Sequence, residues 1–167
     1  MDLEDRLTAI ERQLAELIGR SDQPPADRPG VDPDVFWALA GLRERVTEEG
    51  GAVLFTGMVD LPTGEHYEWQ QAHLVPDVLS DDWETAAGTL NALGHPVRLL
   101  LLRKVLEGVR TTADLAAQEG LGTSGQLYHH LRQLVSAGWL TSSSRGRYAV
   151  PGERVVPLLV IISGARR

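Results

Sequence analysis

The chain of 167 residues contains no cysteine, which excludes disulfide bonds and thiolate metal sites and leaves the redox compartment unmarked. Long apolar runs are also missing. The longest, Val155 to Ile162, is broken by Pro157 and is too short to span a bilayer, and no secretory signal pattern opens the sequence. A cytoplasmic protein without a membrane partner is therefore expected. Glycine is plentiful, yet no phosphate-cradling pattern ending in Lys-Ser or Lys-Thr occurs. Ser124 and His129 share a predicted helix but not one face of it, and no carboxylate is placed to orient the imidazole as a base, so no catalytic residue is nominated and the chain is not expected to be an enzyme. The five histidines lack ligand spacing. His66 and His73 differ in parity on a predicted strand, His95 precedes Pro96 where a cap or packing role is expected, and His130 falls on an apolar stripe. Neither metal nor cofactor is called for.

Charge is present but unevenly spread. The net value of −7 argues against a nucleic-acid partner for the chain as a whole. Residues 1–90, however, carry 6 Lys and Arg against 19 Asp and Glu, and residues 91–167 carry 10 against 4. The second half is thus a basic module attached to an acidic one, which is what phosphate binding by a separate module requires.

The basic half contains the most informative stretch, Thr111 to Gly138. Thr111 and Thr112 are cap residues before the apolar pair Leu115 and Ala116. Thr123 and Ser124 offer a second cap after the Gly120-Leu121-Gly122 break. Two short helices are predicted, the second over residues 124–137. In it Leu127, Leu131, Leu134 and Val135 recur at helical spacing, leaving Gly125, Gln126, Tyr128, His129, Arg132 and Gln133 on the outer face. Gly138 ends the helix, and two β-prone runs around Ser142 to Gly146 make a hairpin over residues 139–150 with Arg145 and Arg147 at its tip. Upstream, Gly94 and Pro96 are stop and start signals for another helix. Helix, turn, helix and hairpin in this order predict a winged helix, whose second helix enters the major groove while the wing reaches the backbone or minor groove.

The run ALGHPVRLLLLRKVL, then TTADLAAQ, then LYHHLRQLVSAGWL and the wing, resembles the ArsR-type winged-helix transcriptional regulators over roughly the last 75 residues. The resemblance implies a bacterial-type, dimeric DNA-binding regulator, generally a repressor, with its terminal helices in the subunit interface. Metal-sensing members use cysteine, or His and carboxylate ligands in their helices; this chain lacks the cysteines and offers no substitute.

The remaining segments set the expected architecture: α+β, mostly α, a winged helix-turn-helix domain preceded by a helix and β-hairpin region and a short coiled-coil-like helix. Residues 1–20 place Leu3, Leu7, Ile10, Leu14 and Leu17 in a heptad seam, suited to a parallel partner chain or to packing on its own domain. Residues 21–34, rich in Pro and Asp, read as a linker. Residues 35–90 read as an accessory or dimerisation region. A helix over 35–49 turns Phe36, Leu39, Ala40, Leu42 and Val46 toward a core, and two strands, 52–61 and 65–75, follow around Pro62-Thr63-Gly64. Six of the nine aromatics fall in this part, as core, subunit contact or a pocket for a small-molecule or protein effector. Residues 91–167 form the DNA-binding domain, ending in an apolar segment. That segment reads as helix, with Pro157 in its first turn and Leu158 and Ile161 at a subunit interface, or as strand.

Two functions follow. In the first, the chain is a homodimeric regulator of double-stranded DNA that reads bases with Gly125, Gln126, Tyr128 and His129 and also contacts DNA through Thr112 and Ser124. Arg132, Arg145 and Arg147 then add contacts to the backbone or minor groove. In the second, it is a protein-interaction or self-assembly module built on a winged helix that does not bind DNA.

Overall fold

The computed structural model describes residues 32, 34–47, 49–121, 123–143 and 146–166, in two units divided after Thr47. The predicted heptad helix 1–20, with its leucine and isoleucine seam, lies outside the described residues, as do Arg145 and nearly all of the linker.

The first unit contains helix α1, Trp37–Arg45. It is shorter than expected and buries no residue: Phe36 and Leu39 are exposed, and Ala40, Leu42 and Val46 only half-buried. Nine residues give barely more than two turns, and the extended backbone of Val46 ends the helix before its apolar stripe is complete.

The second unit begins with strands β1, Ala52–Asp60, and β2, His66–Leu74. They pair antiparallel from Ala52↔Leu74 to Asp60↔His66. Pro62-Thr63-Gly64 forms the turn; Gly64 takes φ of 85°, a left-handed conformation that glycine adopts without a Cβ penalty. Helix α2, Val75–Ser80, follows directly. Helix α3, Trp83–Leu93, starts where Asp82 accepts hydrogen bonds from the Glu84 amide and the Thr85 hydroxyl. Helix α4, Pro96–Leu106, has Pro96 at its first position and His95 as N-cap, its Nδ1 accepting from the Val97 amide at 3.2 Å.

Helix α5, Thr112–Ala116, and helix α6, Ser124–Ser136, come next. The latter ends in a Schellman motif: Gly138 at φ 72° lets its own amide donate to Val135 O and the Trp139 amide to Leu134 O. The short strands β3, Thr141–Ser142, and β4, Tyr148–Ala149, pair antiparallel, and Thr111 bridges to Arg147 beside them. Trp139 and Leu140, expected in the wing's first strand, are instead fully buried, Trp139 donating from Nε1 to Thr89 O at 2.9 Å. The fold is mixed α+β, mostly helical, and its element order is compatible with a winged helix.

The C-terminal segment is a helix, α7, Gly152–Gly164. Pro157 lies inside it rather than in its first turn, because the helix begins at Gly152. Val155, Val156 and Leu158 are buried, whereas Leu159 is exposed and Ile161 and Ile162 are half-buried. The inner face of the hairpin docks on this helix, with Gly57 against Val156 and Tyr67 against Gly152. Val59 and Tyr67 thereby join the core of Leu101, Leu115, Leu131, Trp139 and Val155. Burial of this apolar surface is the main term holding the elements together.

Candidate nucleic-acid interface

Helix α6 separates its residues sharply by face. Leu127, Leu131 and Leu134 are 0–1% exposed. Ser124, Gly125, Gln126, Tyr128, His129 and Arg132 are all exposed, so six of the sequence-nominated contacts share one outward surface. Gln133, expected beside them, is half-buried. Its Oε1 accepts from the Arg98 guanidinium at 2.6 Å.

The start of α6 is built by a capping box. The Gln126 side chain folds back, its Oε1 accepting from the Thr123 amide at 3.0 Å and from the Thr123 hydroxyl at 3.3 Å. The residue best suited to pairing with adenine therefore already uses its acceptor in the helix cap. Its amide N–H donors have no protein partner among the described residues.

The wing base is tied to α5. Thr112 donates to the Gly146 carbonyl from its amide at 3.2 Å and from its hydroxyl at 3.3 Å, and the Tyr148 amide donates to Arg110 O. Thr112 is thus half-buried and holds the wing. Arg147 is exposed beside it. The nominated DNA contacts among the described residues therefore fall on two surfaces, the outward face of α6 and the wing base.

Two arginines that sequence reasoning did not single out organise the region. Arg98 is 8% exposed; it donates to the carbonyls of Ala92 and Asn91 at the end of α3 as well as to Gln133. Its positive charge meets the negative end of the α3 dipole and ties α3 and α4 to α6. The signal was present: Arg98 stands at helical spacing with Leu101, Leu102 and Val105, in the buried stripe of α4. Arg110 pairs with Glu65 of the β1–β2 turn, and the guanidinium holds the Glu65 carboxyl below the ordinary carboxylate range, with help from the Thr63 hydroxyl. No local pattern reveals a pair separated by 45 residues.

His130 packs its ring 4.5 Å from that of His95, and its buried Nδ1 has no hydrogen-bond partner among the described residues. Burial first, then the neighbouring His95, Arg98 and His129, push its pKa below the usual imidazole value. Among the described residues no group of three His, Cys, Asp or Glu side chains is arranged to hold a metal ion, and no helix is long and apolar enough to cross a membrane.

The aromatics of the middle region lie on separate elements. Phe36 and Trp37 belong to the first unit, Phe55, Tyr67 and Trp69 are half-buried on the hairpin, and Trp83 is exposed on α3. An apolar groove of about 430 Å³ lies elsewhere, between α4 and α7, lined by Leu99, Leu100, Leu106, Leu158, Leu159 and Ile162 among others. Leu158 is committed to the core of its own unit and only partly to this groove.

No protein-family model matches the chain. It is similar to a probable mercury resistance operon repressor of Streptomyces lividans, with 33% identity over 81 residues, covering 47% of this chain and 64% of the repressor. It is also similar to the nucleoprotein of Prospect Hill virus, with 35% identity over 71 residues, covering 40% of this chain and 15% of that protein. The chain thus spans less than two thirds of the length of either relative. The helical fold with its antiparallel hairpins stands beside a weak, partial similarity to a transcriptional repressor.

Proposed function

We propose that this chain is a sequence-specific DNA-binding transcriptional repressor of the ArsR type that acts as a homodimer. Its winged helix comprises residues 91–167, and the preceding residues take part in association. Helix α6 enters the major groove with Ser124, Gly125, Gln126, Tyr128 and His129 toward base edges. Arg132, Arg147 and Arg145 neutralise phosphates or reach the adjacent minor groove. The observation that carries this reading is the exposed polar face of α6 together with a wing whose base is fastened to α5. The excess of positive charge in residues 91–167 and the similarity to a repressor support it.

Selection of bound sequences from random duplexes tests the proposal. The expected result is an enriched inverted repeat, its half-sites about one helical turn apart, bound with a salt slope of about −0.9 per phosphate neutralised. Indifference to duplex DNA at low salt overturns it in favour of a protein-docking role.

A further inference from the structure

The hairpin leaves one long strand edge bare. Among the described residues β1 pairs only with β2, in a sheet of two strands. The Leu61 amide donates to Glu65 O and the Val75 amide to Gly51 O, which sets the alternation of the ladder. Residues 53, 55, 57 and 59 bond to β2, so Ala52, Leu54, Thr56, Met58 and Asp60 turn their backbone N–H and C=O groups outward. Among the described residues none of these groups has a backbone partner. The strand AVLFTGMVD also lacks the usual protections of an edge: it is nine residues long, has no Pro and no Lys or Arg, and carries its one charge at the end. The outer edge of β2 differs, since His66, Glu68 and Gln70 lie along it.

β1 is complementary to itself. Antiparallel pairing of two copies about Thr56 overlaps all nine residues and sets Thr56 opposite Thr56, Leu54 opposite Met58 and Val53 opposite Val59. Phe55 falls opposite Gly57, an aromatic covering a residue without a side chain. The outward backbone groups match as well, because residues 52, 54, 56, 58 and 60 meet one another as hydrogen-bonded pairs. Met58, 73% exposed in the single chain, gains an apolar neighbour. The acidic Asp60 meets only Ala52.

We infer that a second copy of this chain pairs with the outer edge of β1, antiparallel about a two-fold axis at Thr56, to form a continuous four-stranded sheet. The contact is isologous and closes on itself, as a symmetric dimer requires. It rests on the homodimer of the proposed function and is independent of its DNA contacts.

The chain has no cysteine, so a single introduced thiol reports the register. In a hydrogen-bonded antiparallel pair the two Thr56 Cα atoms lie about 5.5 Å apart, within disulfide reach. Mild oxidation of the full-length Thr56→Cys variant should give a covalent dimer. Gln70→Cys, the register partner on the same outer face but two strands further from its counterpart, should stay uncross-linked. Met58→Lys should sediment as a monomer where the parent chain is a dimer, with an unchanged circular dichroism spectrum. A Thr56→Cys yield no higher than that of Gln70→Cys, a Met58→Lys variant as dimeric as the parent, or a monomeric parent overturns the inference. Binding to a two-half-site duplex without the Thr56 cross-link refutes the edge pairing alone; the cross-link without DNA binding refutes the DNA reading alone.

Discussion

Gly57 lies directly against Val156: a Cβ built on the glycine would stand 2.6 Å from the valine Cγ1. Carbon atoms do not pack so closely, so the bare backbone at Gly57 is what lets α7 settle on the hairpin, and with it bury Tyr67 and Val59.

Gly57→Ala is therefore expected to force the helix and hairpin apart and to cost about 1–3 kcal/mol, the usual penalty of overpacking. Gly88→Ala, in α3 where a Cβ meets nothing within 4 Å, should act in the opposite sense and stabilise by about 0.5–1 kcal/mol. Urea unfolding of the two variants checks both. Equal effects of the same sign would show that the contact with Val156 does not govern docking.

Gln126 has two duties that a single substitution confuses. Gln126→Ala loses the cap of α6, worth about 0.5–2 kcal/mol of stability, together with any base contact. Gln126→Glu separates them, since a carboxylate at this place still accepts from the Thr123 amide and favours the helix N-terminus. The glutamate variant should melt at or above the parent temperature yet lose about 1–3 kcal/mol of binding at the preferred site. Thermal melting combined with titration of the selected duplex distinguishes the outcomes, and undiminished binding by Gln126→Glu removes this residue from base recognition.

Arg147 is exposed, and Thr112 fastens the wing beside it by donating to the Gly146 carbonyl, so its guanidinium is free of the core. Alanine at both Arg145 and Arg147 should weaken binding to every sequence and reduce the salt slope by about one to two units. Leu131→Ala is the contrasting case, losing binding only through about 2–5 kcal/mol of core destabilisation. Salt titrations of affinity should show the slope change in the first variant and not in the second.

Local signals in the sequence were strong wherever a residue's role depends on its immediate neighbours. Caps at Thr111 and Thr123, the stop at Gly138 and the stripe of Leu127, Leu131 and Leu134 all lie where spacing puts them. The hairpin strands end within one residue of expectation. What escaped were contacts between distant parts of the chain. Trp139 reads as β-prone by composition but is drawn into the core by its bond to Thr89. Gln133 reads as outward by helical phase but is turned inward by Arg98. Arg110 meets Glu65 only because the hairpin folds onto the base of the wing. The β-branched content of residues 153–165 leaves a strand as an alternative to the helix, and docking of the hairpin on Val156 and Gly152 accompanies the helix.

The buried face of α6 also carries a titratable group whose consequence can be read directly. His130 is pressed against His95 and lies near Arg98 and His129, and its buried Nδ1 lacks a partner among the described residues. Its folded pKa is thus lowered from the ordinary 6.5, chiefly by burial. The unfolded chain accepts the proton at the ordinary value and the folded chain only below it. Stability contributed by neutral His130 is therefore complete above about pH 6.5 and is lost as pH falls through the folded value. His66 behaves oppositely. Its hydrogen bonds to Asp60 and Glu68 raise its pKa, so its contribution is present below 6.5 and fades as pH rises through the raised value. Proton NMR of the imidazoles should find His130 titrating below 6.5 and His66 above it. His130→Phe should flatten the loss of stability just below pH 6.5 while leaving the His66 titration in place. Titration of His130 at or above 6.5 would mean that its ring is solvated and that α6 packs more loosely on α4 than the contact with His95 requires.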